Sequence, residues 1–336
     1  EKGSIAPVGN LRIKEAIPML NEASTLHLRQ FEILEVANRN ADFLEYAQQM
    51  GAISGGATGA NGEAPKLLIR LSPEQKVWID TFQQQFDQAD QHYLVKFPRN
   101  QRSEIDCNIL RAEYYYYQEL AELGFSTIAI SDMKLLEGEH YPSLWLPRFD
   151  TLWQHDRWLR YGMESVYSIL DQAAGSHLNH FVVIERLCSL LSQINQDFDS
   201  STFVCEWLQR DLLNIIFGNA DNHGRNTSFL KGAGQIELAP IYDFAPMKAD
   251  PEGIIRLTTW GSPCEEGGEY RWHVITEKLA MYCPPEQSIH ALKTLAHQLT
   301  GLKQRLIDKG VPQQIINMPV LGFDYIEDKL QRWALL

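Results

Sequence analysis

The sequence predicts an α+β protein in two lobes, a mixed α/β lobe over residues 1–150 and a mostly helical lobe over 151–336. Strand-like runs gather in the first half: KLLIRL (66–71), HYLVKF (92–97) and the pair STIAISDMKLLEG and SLWLPRFD within 126–150. Beyond Asp150 the apolar residues recur at helical steps over 158–173, 178–196, 202–217 and 284–310. Strands followed by helices indicate segregated α+β layers or separate lobes.

Taken in order, residues 1–17 alternate and carry Gly and Pro, which predicts a strand or turn. Residues 15–50 have helical character, with Phe31, Leu34, Ala37 and then Phe43, Leu44, Ala47 at three- and four-residue steps. GAISGGATGANGEAP (51–65) is the one low-complexity stretch. After the strands at 66–71 and 92–97, residues 105–123 predict a long helix with Gly124 as its C-cap. Two strands around the acidic turn EGEH complete the first lobe.

Composition narrows the class. With 336 residues, 44% hydrophobic and 22% charged, this is an ordinary globular chain. No run approaches the roughly 20 apolar residues of a membrane span, so no transmembrane helix is expected. A net charge of -13 argues against a nucleic-acid coat, which needs clustered Lys and Arg, and leaves room only for a local basic cleft. The five cysteines, Cys107, Cys188, Cys205, Cys264 and Cys283, are widely spaced with no CxxC pair. Reduced thiols in a cytoplasmic protein are therefore expected, rather than a disulfide frame or zinc site. There is no signal-peptide pattern, and a start at Glu1 rather than Met fits a processed form or a fragment lacking an upstream segment.

The chemistry concentrates in GNADNHGRNTSFLKGAGQIELAPIYDFAPM (218–247). Asn, Asp, Gly and His compete for backbone hydrogen bonds and cannot fill a helix interior. Apolar segments pin this polar run on both sides, and a loop held that way is where a rigid fold displays its chemistry. Asp221, then Asn226, then Asp243 give the order that phosphoryl transfer from a metal-bound nucleotide requires. One carboxylate orients the attacking hydroxyl, while an Asn and a second carboxylate hold Mg²⁺. The alternative is a turn closed by Asx hydrogen bonds. His223 lies in DNH and suits an orienting role better than zinc ligation, since no His or Cys falls at ligand spacing.

Three further segments are open to two readings each. The Gly-rich stretch, with Ser54, Gly55 and Gly56, either cradles phosphate with its backbone N–H groups ahead of Lys66 or is a flexible linker. It is not a Walker A loop, because no GK[ST] follows. Lys96, flanked by Leu94, Val95 and Phe97, either faces water on an edge strand or is buried against an anion. In the second case Glu113 is the candidate partner, and the aromatic run Tyr114 to Tyr117 would pack its helix on the sheet. LWLPRFD, with Pro147 and Phe149, is either a plain strand end or a crossover whose backbone meets an adenine ring.

Together these residues resemble the HipA-like serine/threonine kinases, the toxin kinases of bacterial toxin–antitoxin systems. That family's signature is approximately Asn-x-Asp-x-His-x-Lys/Arg-Asn with a Tyr-Asp pair further on. Here it reads Asn219, Asp221, His223, Arg225 and Asn226, then Tyr242 and Asp243. The resemblance runs over about residues 5 to 310, through PVGNLRI, HYLVKF, RAEYYYYQELAELGF and WLPRFD. It implies a two-lobed fold related to protein and phosphoinositide kinases, with ATP and Mg²⁺ as cofactors. Asp221 would be the catalytic base, with Arg225 and His223 beside it and Asn226 and Asp243 as Mg²⁺ ligands. Lys96, held by Glu113, would bind the triphosphate, and Pro147 and Phe149 would form the hinge. It further implies a protein substrate, such as an aminoacyl-tRNA synthetase, and an antitoxin partner. DNA would be contacted only through that partner or an upstream segment.

The chain departs from the family at two places. Ala52-Ile53-Ser54-Gly55 has Ala where the family's regulatory Ser stands, and the loop before Lys66 is longer. Ser54 or Thr58 is then the first candidate for autophosphorylation. Pro147 stands where the family carries an acidic residue, and it has no N–H to donate. Two other classes stay in view. One is a small-molecule phosphotransferase of the aminoglycoside type, whose HxDxxxxN order places its His before the Asp. The other is a catalytically weak binding module.

Overall fold

The strand-like runs of the first half form a six-stranded antiparallel sheet. The computed structural model describes residues 8–11, 29–49, 66–80, 89–232 and 234–336. The strands are β1 (Phe31–Glu32), β2 (Lys66–Leu71), β3 (Lys76–Ile79), β4 (Gln91–Lys96), β5 (Lys134–Glu137) and β6 (Pro142–Pro147), in the order β1-β3-β2-β4-β6-β5. The chain divides into two compact units, residues 1–114 with 127–163, and residues 115–126 with 164–336.

In the first unit, register assigns each side chain to a face. β2 and β4 pair from Lys66↔Lys96 to Leu71↔Gln91, so Leu67 and Ile69 share a face with Val95 and Tyr93. That face joins Phe31, Phe43, Tyr46 and Trp145 in one hydrophobic core. The opposite face carries Lys66, Leu68 and Arg70 beside Lys96, Leu94 and His92, because side chains alternate with period two. The continuous helical pattern expected over 15–50 is corrected. Phe31 and Glu32 are strand, and helices Ile33–Ala37 and Ala41–Gln49 are split where Arg39 takes φ +55°. Residues 12–28 lie outside the described part of the chain.

The long helix Glu104–Glu122 matches its sequence pattern. At its start the Ser103 N–H donates to the Asp106 carboxylate (2.8 Å), while Ser103 Oγ accepts from the Asp106 N–H (3.5 Å), a capping box with Asp. Gly124 takes φ +87° at the other end, and Phe125 N–H closes back on Leu120 O (3.0 Å).

The helix expected over 158–173 is also corrected. Strand β7 (Thr151–Gln154) turns through His155 and Asp156, both at positive φ, into β8 (Arg157–Arg160), and β9 (Gly162–Ser165) follows. Two consecutive positive φ values make the two-residue hairpin turn whose twist suits paired strands. Only Val166–Ile169 is helical. The sequence signal there was ambiguous because Trp158, Leu159, Tyr161 and Met163 fit both periods.

In the second unit, helices His180–Ile194 and Ser200–Ile216 begin at side-chain caps. Asn179 Oδ1 accepts from Phe181 N–H, and Asp199 accepts from Ser201 N–H. The helical run at 284–310 is two helices, Pro285–Leu299 and Leu302–Lys309, divided by Gly301 at φ +74°. A short parallel pair joins β10 (Leu178–Asn179) to a later segment, and β11 (Ser228–Gly232) pairs antiparallel with β12 (Gln235–Leu238). No helix among the described residues is long and apolar enough to cross a membrane.

Candidate functional site

The polar run begins where helix Ser200–Ile216 ends. Phe217 N–H still bonds to Leu213 O (2.9 Å), and Gly218 then takes φ +71°, a conformation that favours glycine. Asn219 is buried and bridges the helix to the loop. Its Nδ2 donates to Asn214 Oδ1 (2.9 Å), and its Oδ1 accepts the Asp221 N–H (3.2 Å). Further along, Asn226 Nδ2 donates to Asp221 O (2.8 Å), so the loop folds back on itself between its Asp and its Asn. Tyr242 O–H donates to Arg225 O (2.6 Å) and accepts from Ser228 Oγ (2.6 Å), which ties the loop to the segment leading to Asp243. The Asx-turn alternative and the chemical reading are thus compatible, because the turn bonds use amides and leave a carboxylate.

That carboxylate belongs to Asp221, whose side chain is 24% exposed, with His223 Nε2 3.4 Å from its Oδ1. The His223 ring stacks on Tyr167 with centroids 6.1 Å apart. Arg225 is exposed. Asp243 takes φ +53°, a left-handed conformation uncommon for a residue other than glycine. Tyr116 and Tyr117 meet this segment. Tyr116 O–H donates to Phe217 O (3.2 Å), and Tyr117 Oη accepts the Phe244 N–H (3.3 Å). The second unit therefore holds Asp221, His223, Arg225, Asn226 and Asp243 on two braced, neighbouring segments.

The first unit holds the other candidates. Lys96 Nζ lies 2.6 Å from Glu113 Oε1 with both side chains buried, so the edge-strand reading of Lys96 is overturned. Lys66 occupies the register position opposite Lys96. Pro147 ends β6 opposite Tyr93, and Phe149 is half-buried. The N–H between them, that of Arg148, is taken by His92 O (2.9 Å), so it cannot serve an external ligand. Ser54, Gly55, Gly56 and Thr58 lie outside the described residues.

Two buried polar networks were not anticipated from sequence. In the first unit the Arg148 guanidinium grips Asp150 with a two-pronged fork (2.8 and 2.5 Å) and reaches Asp80 (3.2 Å). His92 Nδ1 is 2.8 Å from the same Asp80, and Arg160 3.2 Å. Burial alone would raise the Asp80 pKa, but His92, Arg160 and Arg148 outweigh it and hold it well below the usual range. In the second unit Asp211 is buried on helix Ser200–Ile216. It accepts from Arg256 Nη2 (3.0 Å) and Trp260 Nε1 (2.8 Å). Burial pulls its pKa up, but the Arg256 guanidinium outweighs it and lowers it. The only sequence signal was one Asp on the apolar face of LQRDLLNIIF.

A buried Lys–Glu pair on a sheet, with an Asp/Asn/Asp loop set on a helical body, defines a protein-kinase-like α+β protein. The model of the HipA-like C-terminal domain matches residues 58–302, and the chain belongs to that family. HipA in the Shewanella oneidensis MR-1 toxin–antitoxin complex of HipA, HipB and operator DNA is similar in fold, with a TM-score of 0.59 at 15% identity. The similarity covers 91% of this chain and 72% of that one. The Helicobacter pylori proinflammatory kinase CtkA gives a TM-score of 0.48 at 14% identity, over 84% of this chain and 92% of its own. No curated protein sequence matches at a significant level.

Proposed function

We propose that the chain is an ATP- and Mg²⁺-dependent kinase that phosphorylates Ser or Thr of a protein. The observation that most supports this is the 2.8 Å bond from Asn226 Nδ2 to Asp221 O. With its nitrogen committed, the Asn226 amide turns its Oδ1, a hard-cation ligand, away from that bond. The same loop keeps the Asp221 carboxylate part-exposed and available to a hydroxyl.

Each residue then has a task. Asp221 accepts the proton of the attacking hydroxyl as the new P–O bond forms and the bond from the γ-phosphorus to the bridging oxygen breaks. His223, stacked on Tyr167, orients Asp221, and the exposed Arg225 neutralises charge on the transferred group. Lys96, held by Glu113, binds the α- and β-phosphates with Lys66 beside it. Residues 1–150 thus serve the nucleotide, with Pro147, Phe149 and the segment of Ser54, Gly55 and Gly56 assigned to it. Residues 151–336 supply the base and the cation ligands.

Asn226 and Asp243 offer an amide oxygen and a carboxylate, a hard-oxygen set that suits Mg²⁺ bound together with phosphates. When bound, the cation offsets negative charge on the β- and γ-phosphates. The resemblance to HipA-like toxin kinases points to a translation component, such as an aminoacyl-tRNA synthetase, as the proposed substrate. It also supports an antitoxin partner. The net charge of -13 favours DNA contact through that partner rather than through this chain.

Incubation with labelled ATP and a bacterial cytosolic lysate, followed by mass spectrometry, tests the proposal. Label is expected on Ser or Thr of a protein, and it should vanish in Asp221→Asn and Asp243→Ala while both variants stay folded. Full activity in either variant would overturn that residue's role. Transfer to free aminoglycosides or sugars would instead mean a small-molecule phosphotransferase, and no turnover of ATP a binding module.

A further inference from the structure

Beside the loop that carries Asp221 lies a half-open pocket of about 30 Å³, lined among others by His180, Trp207, Asp211, Asn214, Asn222 and Thr227. Asn222 is 9% exposed and His180 3%. Asn222 Nδ2 donates to Thr258 O (3.0 Å), but its Oδ1 has no hydrogen-bond partner. Trp207 Nε1 donates to His180 Nδ1 (2.9 Å). An indole N–H can only donate, so Nδ1 accepts and the ring proton sits on Nε2. His180 Nε2 also lacks a hydrogen-bond partner, its N–H being poorly aligned on Asp211 Oδ1, 3.4 Å away. One wall therefore presents an unused acceptor and another an unused donor, and leaving both unsatisfied is costly.

A buried water needs about 10–15 Å³ and two to four polar partners, so this chamber has room for about two. We propose that it is a hydration site whose water links His180 Nε2–H to Asn222 Oδ1, and that Asn222 is a positioning residue for Asp221. The remaining anchor of Asn222 is Thr258 O, which also accepts from Arg256 Nη2 (3.4 Å), the guanidinium that pairs with Asp211. Through Asn222 the loop is thus fixed on one side by the buried ionic network and on the other by held water. The positioning role rests on the kinase reading. The water site does not.

A crystal structure of the 336-residue chain at a resolution that orders water reads the site directly. Water within hydrogen-bond distance of both atoms is expected, and a dry chamber or an Asn222 Oδ1 paired elsewhere would overturn the site. In solution, Asn222→Ala is expected to speed amide hydrogen exchange at residues 219–226 about tenfold while the rest of the second unit is unchanged. Its kcat should fall by roughly tenfold or more at an unchanged KM for ATP, as a misplaced base would cause. His180→Phe removes the N–H and should behave likewise. His180→Gln keeps a donor at that end and should restore most of the rate. Unchanged exchange, or a KM and melting temperature that shift together with kcat in every variant, would overturn the positioning role. A wild-type chain that transfers no phosphoryl group would defeat the kinase reading, and the water and exchange measurements would still decide this one.

Discussion

Lys96 Nζ and Glu113 Oε1 are 2.6 Å apart, and their side chains are only 6% and 4% exposed. Such a pair offsets the loss of hydration only while both members remain. Glu113→Ala takes the carboxylate away from a buried ammonium and is expected to cost about 3–5 kcal/mol. The double variant Lys96→Met/Glu113→Leu should recover most of that stability and still fail to bind a fluorescent ATP analogue. Thermal melts with binding titrations check both halves. A double variant as unstable as Glu113→Ala would show that packing, not charge, dominates there.

Gly224 makes a different kind of contact. A Cβ at this position would sit 2.6 Å from Tyr167 Cδ1 and 2.9 Å from Leu178 Cδ1, inside any ordinary carbon contact. Gly224→Ala must displace a ring or the loop, at about 1–3 kcal/mol. A melting curve indistinguishable from wild type would mean that the ring yields freely.

Asn226→Ala removes both the bond to Asp221 O and the amide oxygen. The expected stability loss is small, about 1 kcal/mol for one hydrogen bond. ATP turnover should fall about 100-fold and should need more Mg²⁺ to reach half its maximum. An unaltered Mg²⁺ titration would remove Asn226 from the ligand set.

Acid should weaken the fold through His92. Burial, reinforced by Arg160 and Arg148, holds its pKa below the ordinary value even though Asp80 pulls the other way. The folded chain then gives up a proton that the unfolded chain keeps. The contribution is complete above the unfolded value of about 6.5 and is lost as pH falls below it, by up to about 1.4 kcal/mol per pH unit. Asp80 and Asp150 are depressed carboxylates, so their share is lost only further into acid, below about 4. His92→Gln should flatten denaturant-derived stability just below pH 6.5 and leave the lower limb in place. Identical curves for the two proteins would rule His92 out.

Legibility followed the range of the interactions. Strands β2 and β4 and helix Glu104–Glu122 were readable because period and capping are local, as Leu67/Ile69 and Gly124 show. The loop around Asp221 was readable because its members lie within a few residues of one another. Asp80, Arg148 and Arg160 were not, since Asp80 meets Arg148 across 68 positions and Arg160 across 80. No local pattern marks such partners. His180 and Asp211 went unnoticed for the same reason, each standing alone on an apolar helix.

Asp243 occupies a backbone conformation in which glycine would rest more easily. Asp243→Gly is therefore a substitution the scaffold would welcome, one that removes the proposed cation ligand and raises the melting temperature. A screen for stable, well-expressed variants would enrich an inert protein without any warning. Selection for robustness and selection for activity pull in opposite directions at this one residue. Among relatives, a glycine there in an otherwise intact chain would mark a copy that has kept its shape and given up the proposed cation ligand.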